Sequence, residues 1–145
     1  MQERAERVID PNSQTGERVT ARLRNDLVAW LVTVAPDGTP MPTPVWFWWD
    51  GETVLVYSQP DKPKLRNIAA NPRVALALRT DELGNLLAVV TGDARVDESA
   101  PAAHELPGYV TKYRDQIAAE GFEPAAFAAE YRVPIRITPT RLRAW

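Results

Sequence analysis

Hydrophobic positions change their period along the chain. From Thr15 to Leu27 they recur as Val19, Leu23 and Leu27, at i, i+4 and i+8 on one helical face, with Thr15 placed to cap and Glu17 in the first turn. This spacing predicts a helix. From Val28 to Ala35 the run VAWLVTVA is β-branched and apolar, which predicts a strand. It ends on Pro36-Asp37-Gly38-Thr39, where proline presets φ and glycine accepts a positive one. A second strand is expected from Pro42 to Asp50 and a third from Thr53 to Ser58, flanking Asp50-Gly51 as a hairpin turn.

A short helix is expected from Lys62 to Asn71, with Pro63 in its first turn, Asn71-Pro72 closing it, and Leu65, Ile68 and Ala69 spaced to face the core. Two more strands, Arg73 to Arg79 and Leu86 to Val96, are joined through Asp81–Asn85, and Gly92 marks a bulge or a close backbone approach. Pro101 to Arg132 is alanine-rich and helical, split near Gly121. Val133 to Trp145 is extended, with Pro134 and Pro139 as an edge or bulged strand would carry them. Hairpins without βαβ alternation argue for an antiparallel barrel with peripheral helices over a doubly wound sheet. At 145 residues the chain reads as one domain, 1–145, with residues 1–14 as a flexible N-terminal extension.

Composition narrows the chemistry. The absence of cysteine excludes disulfides, thiolate metal sites and a cysteine nucleophile. The single histidine, His104, precedes Glu105-Leu106-Pro107-Gly108 and suits a surface or capping role. A two-histidine metal site cannot be built. Ser58 has no evident base, and Asp93, Asp97 and Glu98 lack the spacing that pairs carboxylates for hydrolysis. A formal net charge of -2 disfavours nucleic acid as a partner. The first residues, MQERAERVID, hold no apolar core of a signal peptide, and no run of residues is long and apolar enough for a membrane span. The expectation is a cytoplasmic protein whose reaction is carried by a bound organic cofactor, the protein supplying position and electrostatics.

Two segments carry that expectation. In Thr43-Pro44-Val45-Trp46-Phe47-Trp48-Trp49, a strand turns Val45, Phe47 and Trp49 to one side and Trp46 and Trp48 to the other. Bulky groups on both faces require cover on both. One face is the barrel core; the other is covered by a partner chain, a flat ligand or both, or these are core and subunit-interface aromatics alone. The second segment runs from Tyr57 to Arg73, where Lys62, Lys64, Arg66 and Arg73 outnumber the one acid, Asp61. These cations cluster where a strand enters a helix N-terminus, which itself favours an anion. Lys64 and Asn67, at i and i+3, are placed to reach one ligand. The alternative is an ordinary solvated basic face.

Together, TPVWFWWDG (Thr43–Gly51), LVYSQPDKPKLRNIAANPRVAL (Leu55–Leu76), TGDARV (Thr91–Val96) and PIRITPTRLRAW (Pro134–Trp145) resemble the pyridoxamine-5′-phosphate-oxidase-like, deazaflavin-dependent oxidoreductases of actinobacteria. The likeness runs from about Thr20 to Trp145. It implies an antiparallel split β-barrel, a homodimer with two cofactor sites at the subunit interface, and binding of coenzyme F420. By the resemblance, Ser58, Lys62, Lys64 and Asn67 lie around the cofactor phosphate with Arg66 close by, and Pro44, Val45 and Trp46 lie on the strand along the tricyclic ring. FMN-using pyridoxamine oxidases carry an arginine and a lysine on the strand filled here by Trp46–Trp49, a departure that sets FMN behind F420. The implied activity is hydride transfer from reduced F420 to a small electron-poor acceptor, with an F420 carrier or an FMN-dependent oxidoreductase as alternatives. No catalytic side chain is assigned; Tyr57 stands as either a proton donor or barrel core. Arg66, Arg73, Arg141 and Arg143 are candidates for an anionic cofactor tail.

Overall fold

The structure, a computed structural model, describes residues 7–145. A seven-stranded, wholly antiparallel sheet curls into a half-barrel in the order β2-β1-β5-β6-β7-β4-β3. The strands are β1 (Ala29–Val34), β2 (Pro40–Val45), β3 (Trp48–Trp49), β4 (Val54–Ser58), β5 (Arg73–Ala77), β6 (Ala88–Val96) and β7 (Val133–Ala144). Helix α1 (Gln14–Asn25) precedes the sheet, α2 (Pro63–Ala70) joins β4 to β5, and α3 (Pro107–Ala119) and α4 (Pro124–Glu130) lie between β6 and β7. This is a split barrel. No helix among the described residues is long and apolar enough to cross a membrane.

Helix α1 starts two residues earlier than expected. Ser13, not Thr15, is the cap, its hydroxyl accepting from the Gly16 N–H at 2.9 Å. The helix ends at Asn25, so Leu27 lies beyond it and is partly exposed. Ile9, within the segment expected to be a flexible extension, is buried in the barrel core, while residues 1–6 of that segment lie outside the described residues.

The expected strand from Pro42 to Asp50 is two strands. β2 pairs with β1 at one end of the sheet, and β3 pairs with β4 at the other. Only Trp46 and Phe47 connect them, so this two-residue link spans the opening of the half-barrel. Side chains of α3 satisfy the backbone groups that the broken ladder would orphan. The Phe47 N–H donates to Tyr113 Oη at 2.9 Å, and the Phe47 carbonyl accepts from Lys112 Nζ at 2.9 Å. Tyr113 and Lys112 also donate to the Leu27 and Leu23 carbonyls, at 2.7 and 3.2 Å. Burial pushes the Lys112 ammonium down to about 8, against a weaker pull upward from Asp26.

The alternation of the aromatic segment survives the break. Val45, Phe47 and Trp49 join Val54 and Val56 of β4 in the barrel core. Trp46 and Trp48 pack on the opposite face with Leu55, Tyr57, Tyr109, Tyr113, Ile117 and Phe127. The chain's own α3 and α4 supply much of the cover on that face, a source the sequence reading did not name, and Trp46 and Trp48 remain partly buried there. A Cβ on Gly108 would collide with the Trp48 ring, so a glycine lets the indole lie against the start of α3.

β7 is central, between β6 and β4, where an edge strand was one expectation. Its prolines are tolerated because each sits where only one neighbour is in register: Pro134 opposite Tyr57 of β4, and Pro139 opposite Gly92 of β6. At Gly92 the register shifts, and a Cβ there would strike the Thr138 carbonyl oxygen, so both readings of this glycine hold. The helical excursion divides at Gly121, which has φ 86. In α2 the buried residues are Asn67 and Ile68; Ala69, expected toward the core, is exposed.

Candidate functional site

A cavity of about 230 Å³ opens where the Trp46–Phe47 link meets the end of β4. Three parts of the chain wall it: Pro44, Val45 and Trp46 from β2 and the link; Tyr57, Ser58, Gln59, Lys62 and Lys64 from β4 and the start of α2; and Tyr109, Glu120, Phe122, Phe127 and Tyr131 from the helical excursion. One end is cationic and the other aromatic.

The cationic end follows from local chain geometry. β4 runs out at Ser58, Pro60-Asp61 turns the chain with Asp61 at φ 64, and α2 begins at Pro63. Lys62 is the N-cap residue, no side chain caps the helix, and its free N–H groups add to the positive field. Lys64 is half-buried; burial first and Lys62 second hold its ammonium below the usual lysine value. Two like charges, one partly desolvated, are a standing electrostatic cost that an anion would relieve. Ser58 is buried and its hydroxyl donates to the Gln59 carbonyl at 2.7 Å, leaving its oxygen lone pairs as acceptors only.

The aromatic end is a stacked layer. Trp46 stacks on Tyr113 with centroids 4.8 Å apart and on Phe127 at 5.4 Å, and Phe127 stacks on Tyr131 at 4.6 Å. Tyr57 belongs to this layer and not to the barrel core; its hydroxyl donates to the Pro101 carbonyl at 2.7 Å, and burial pushes its phenol up to about 12. It is committed to the protein and poorly suited to releasing a proton.

Of the residues singled out from sequence, Pro44, Val45, Trp46, Ser58, Lys62 and Lys64 converge on the cavity. Arg66 and Asn67 are not in its wall. Arg66 is exposed and donates to the Asp61 carbonyl at 3.3 Å. The Asn67 amide is buried and donates to Thr33 Oγ1 at 3.0 Å and Met41 Sδ at 3.4 Å, tying α2 to β1 and β2. Arg73, Arg141 and Arg143 are exposed on the sheet outside the wall, and His104 is exposed in a short turn before α3. Asp97 is structural: Ser99 and Arg136 hold its carboxyl well below the usual carboxylate range.

Sequence reading missed Tyr109, Glu120, Phe122, Phe127 and Tyr131. The available signal was the i, i+4 aromatic pairs Tyr109/Tyr113 and Phe127/Tyr131 in a segment otherwise rich in alanine.

Comparison with known proteins agrees with this architecture. No curated protein sequence matches the chain. An F420 reductase of known structure is 32% identical, with 85% of this chain and 94% of that chain covered and a TM-score of 0.65. A conserved hypothetical protein from Mycobacterium tuberculosis is 23% identical over 100% of this chain and 89% of its own, with a TM-score of 0.69. A haem storage protein from Vibrio cholerae, 16% identical over 96% of this chain and 95% of its own at a TM-score of 0.61, shares the fold alone. The pyridoxamine 5′-phosphate oxidase family model matches residues 15–145, from the first turn of α1 to the last residue. On that span and that fold, the chain belongs to the pyridoxamine 5′-phosphate oxidase family of split barrels.

Proposed function

We propose that this protein is an F420-dependent oxidoreductase that passes a hydride from the reduced deazaflavin to a small electron-poor organic acceptor. The observation that carries this reading is the cavity itself: a lysine pair at one end and a fixed aromatic layer at the other, in a chain 32% identical to an F420 reductase. When bound, the deazaflavin supplies two-electron chemistry that needs no protein nucleophile. Lys62 and Lys64 hold the phosphate with the α2 N-terminus; Ser58 lines that end and would donate to the phosphate only by turning its hydroxyl away from the Gln59 carbonyl. Pro44 and Val45 present backbone along the ring, while Trp46, clamped by its stacks, fixes the wall. Asn67 acts by holding α2, and with it Lys64, against β1. Arg66, on the exposed face of α2, is available to the anionic tail.

The donor set fits a phosphate-bearing flat cofactor, and the volume indicates what else the site needs. Small-molecule sites usually enclose roughly 300–1,000 Å³, more than the cavity of about 230 Å³ formed by one chain. Beside it lies an uncovered apolar face. Trp30 is 50% exposed and stands opposite Pro44 in the β1–β2 register, so both side chains share the outer face at the cavity's edge. A second copy covering Trp30 would also close the cavity. The expected result is a dimer by sedimentation at micromolar concentration, and Trp30→Glu should yield a monomer with weakened cofactor binding. A wild-type monomer that binds F420 tightly overturns this arrangement.

Turnover separates a reductase from a carrier. Reduced F420 bound to the protein should be oxidised on addition of quinones or activated alkenes, followed by absorbance. Tight binding with no oxidation across such a panel would assign a carrier.

A further inference from the structure

We infer that Tyr109 is a positioning residue whose hydroxyl donates a hydrogen bond to an acceptor oxygen on the flat ring of the bound cofactor; this rests on the cofactor reading of the cavity. Tyr109 is 1% exposed, yet it forms part of the cavity wall. Its ring is fixed on three sides: edge-on to Tyr57 at 5.2 Å, and tilted against Tyr113 at 4.9 Å and Phe127 at 6.3 Å. The neighbouring buried tyrosines spend their hydroxyls on backbone carbonyls, Tyr57 on Pro101 and Tyr113 on Leu27, each at 2.7 Å. Tyr109 has no such partner among the described residues. Even so, no buried side-chain nitrogen or oxygen there is both sealed from solvent and unpaired. The hydroxyl is therefore the part of this ring that reaches the cavity. Water meets this hydroxyl in the cavity of the unliganded protein, and an acceptor oxygen on a ligand can take that water's place.

Protonation agrees with a donor role. Burial, reinforced by Tyr113, Tyr57 and Tyr131, holds the Tyr109 phenol well above its ordinary value, so the proton stays on oxygen. The opposite end of the cavity already has an anion partner in Lys62 and Lys64. A ligand anchored there by phosphate presents its ring system to the aromatic end, where ring carbonyls are the acceptors that a deazaflavin or flavin offers. Tyr109 thus fixes how the ring lies between two anchors.

The test compares Tyr109→Phe with Tyr57→Phe by absorbance titration with F420 and with FMN, alongside thermal unfolding of the unliganded proteins. Tyr109→Phe should weaken binding of whichever cofactor the wild type takes by about tenfold and leave the unliganded melting temperature unchanged or higher. Tyr57→Phe, which breaks an internal bond to the Pro101 carbonyl, should melt lower than wild type and sets the scale for a structural loss. Affinity in Tyr109→Phe within about twofold of wild type, or an affinity loss accompanied by melting as low as that of Tyr57→Phe, overturns the inference. Wild-type protein that binds neither cofactor overturns the functional reading itself, and this inference with it; that result is read on the wild type alone.

Discussion

Tyr113→Phe is expected to lower the free energy of unfolding by about 2–4 kcal/mol, although it removes a single oxygen atom. Among the described residues that oxygen is the only partner of the Phe47 N–H, and Phe47 is fully buried, so no water replaces it. An orphaned buried donor costs about 1–3 kcal/mol. The bond to the Leu27 carbonyl, in a residue 37% exposed, can be exchanged for water and adds roughly 0.5–1.5 kcal/mol. Phenylalanine keeps the stack on Trp46, so the loss reports the hydroxyl and not the ring. Urea unfolding should show a lower midpoint at an unchanged slope. Because the Trp46–Phe47 link also carries one wall of the cavity, cofactor affinity should fall with stability. A change below roughly 0.5 kcal/mol, the range of ordinary surface substitutions, would mean that the link is held by other contacts.

Lys64→Met should have the opposite signature, weaker binding without a weaker fold. The methionine keeps an apolar stem in the half-buried position while removing an ammonium held below its usual value by burial and by Lys62. The unliganded protein should therefore melt at the same temperature or higher. A charge-assisted hydrogen bond to phosphate contributes roughly 1.5–3 kcal/mol, so F420 affinity should drop about tenfold to 100-fold. Wild-type affinity should fall as salt rises, and the variant should be less sensitive. Equal affinity in both proteins across a salt series would remove Lys64 from the anion site.

These two residues mark the boundary of what could be read along the chain. Lys64 was legible because the β4-to-α2 turn concentrates its cations within a few consecutive residues, a local pattern. The inward and outward alternation of Val45 to Trp49 was legible for the same reason, since strand geometry dictates it. The break at Trp46–Phe47 was not. The apolar pattern runs through it without a change of period, and the break exists because β1 and β4, the two pairing partners, stand far apart in the sheet order. Its backbone groups find partners on Tyr113 and Lys112, 66 and 65 residues away. Tyr109, Phe127 and Tyr131 were hidden differently: an aromatic stripe on a helix ordinarily means core, and these residues are both core and cavity wall. The prolines of β7 pointed to an edge strand because proline removes a donor; only the staggered pairing of β4 and β6 reveals how a central strand tolerates them.

The choice of cofactor carries the functional reading, and the lysine pair cannot make it, because F420 and FMN both present a phosphate on a ribityl chain. Discrimination falls to the ring and the tail: the aromatic link in place of basic strand residues, and exposed Arg66 beside the anion end. Rim charges of that kind add roughly 0–1 kcal/mol each and are screened by salt. The decisive measurement is titration of the purified protein with F420 and FMN side by side, followed by visible absorbance at two salt concentrations. F420 should bind with a Kd of about micromolar or tighter, about 8 kcal/mol of binding free energy. FMN should bind at least about tenfold more weakly, a difference of about 1.4 kcal/mol, and longer F420 tails should gain more at low salt. Binding of FMN as tight as that of F420, or a yellow stoichiometric FMN complex carried through purification, would make this an FMN protein instead.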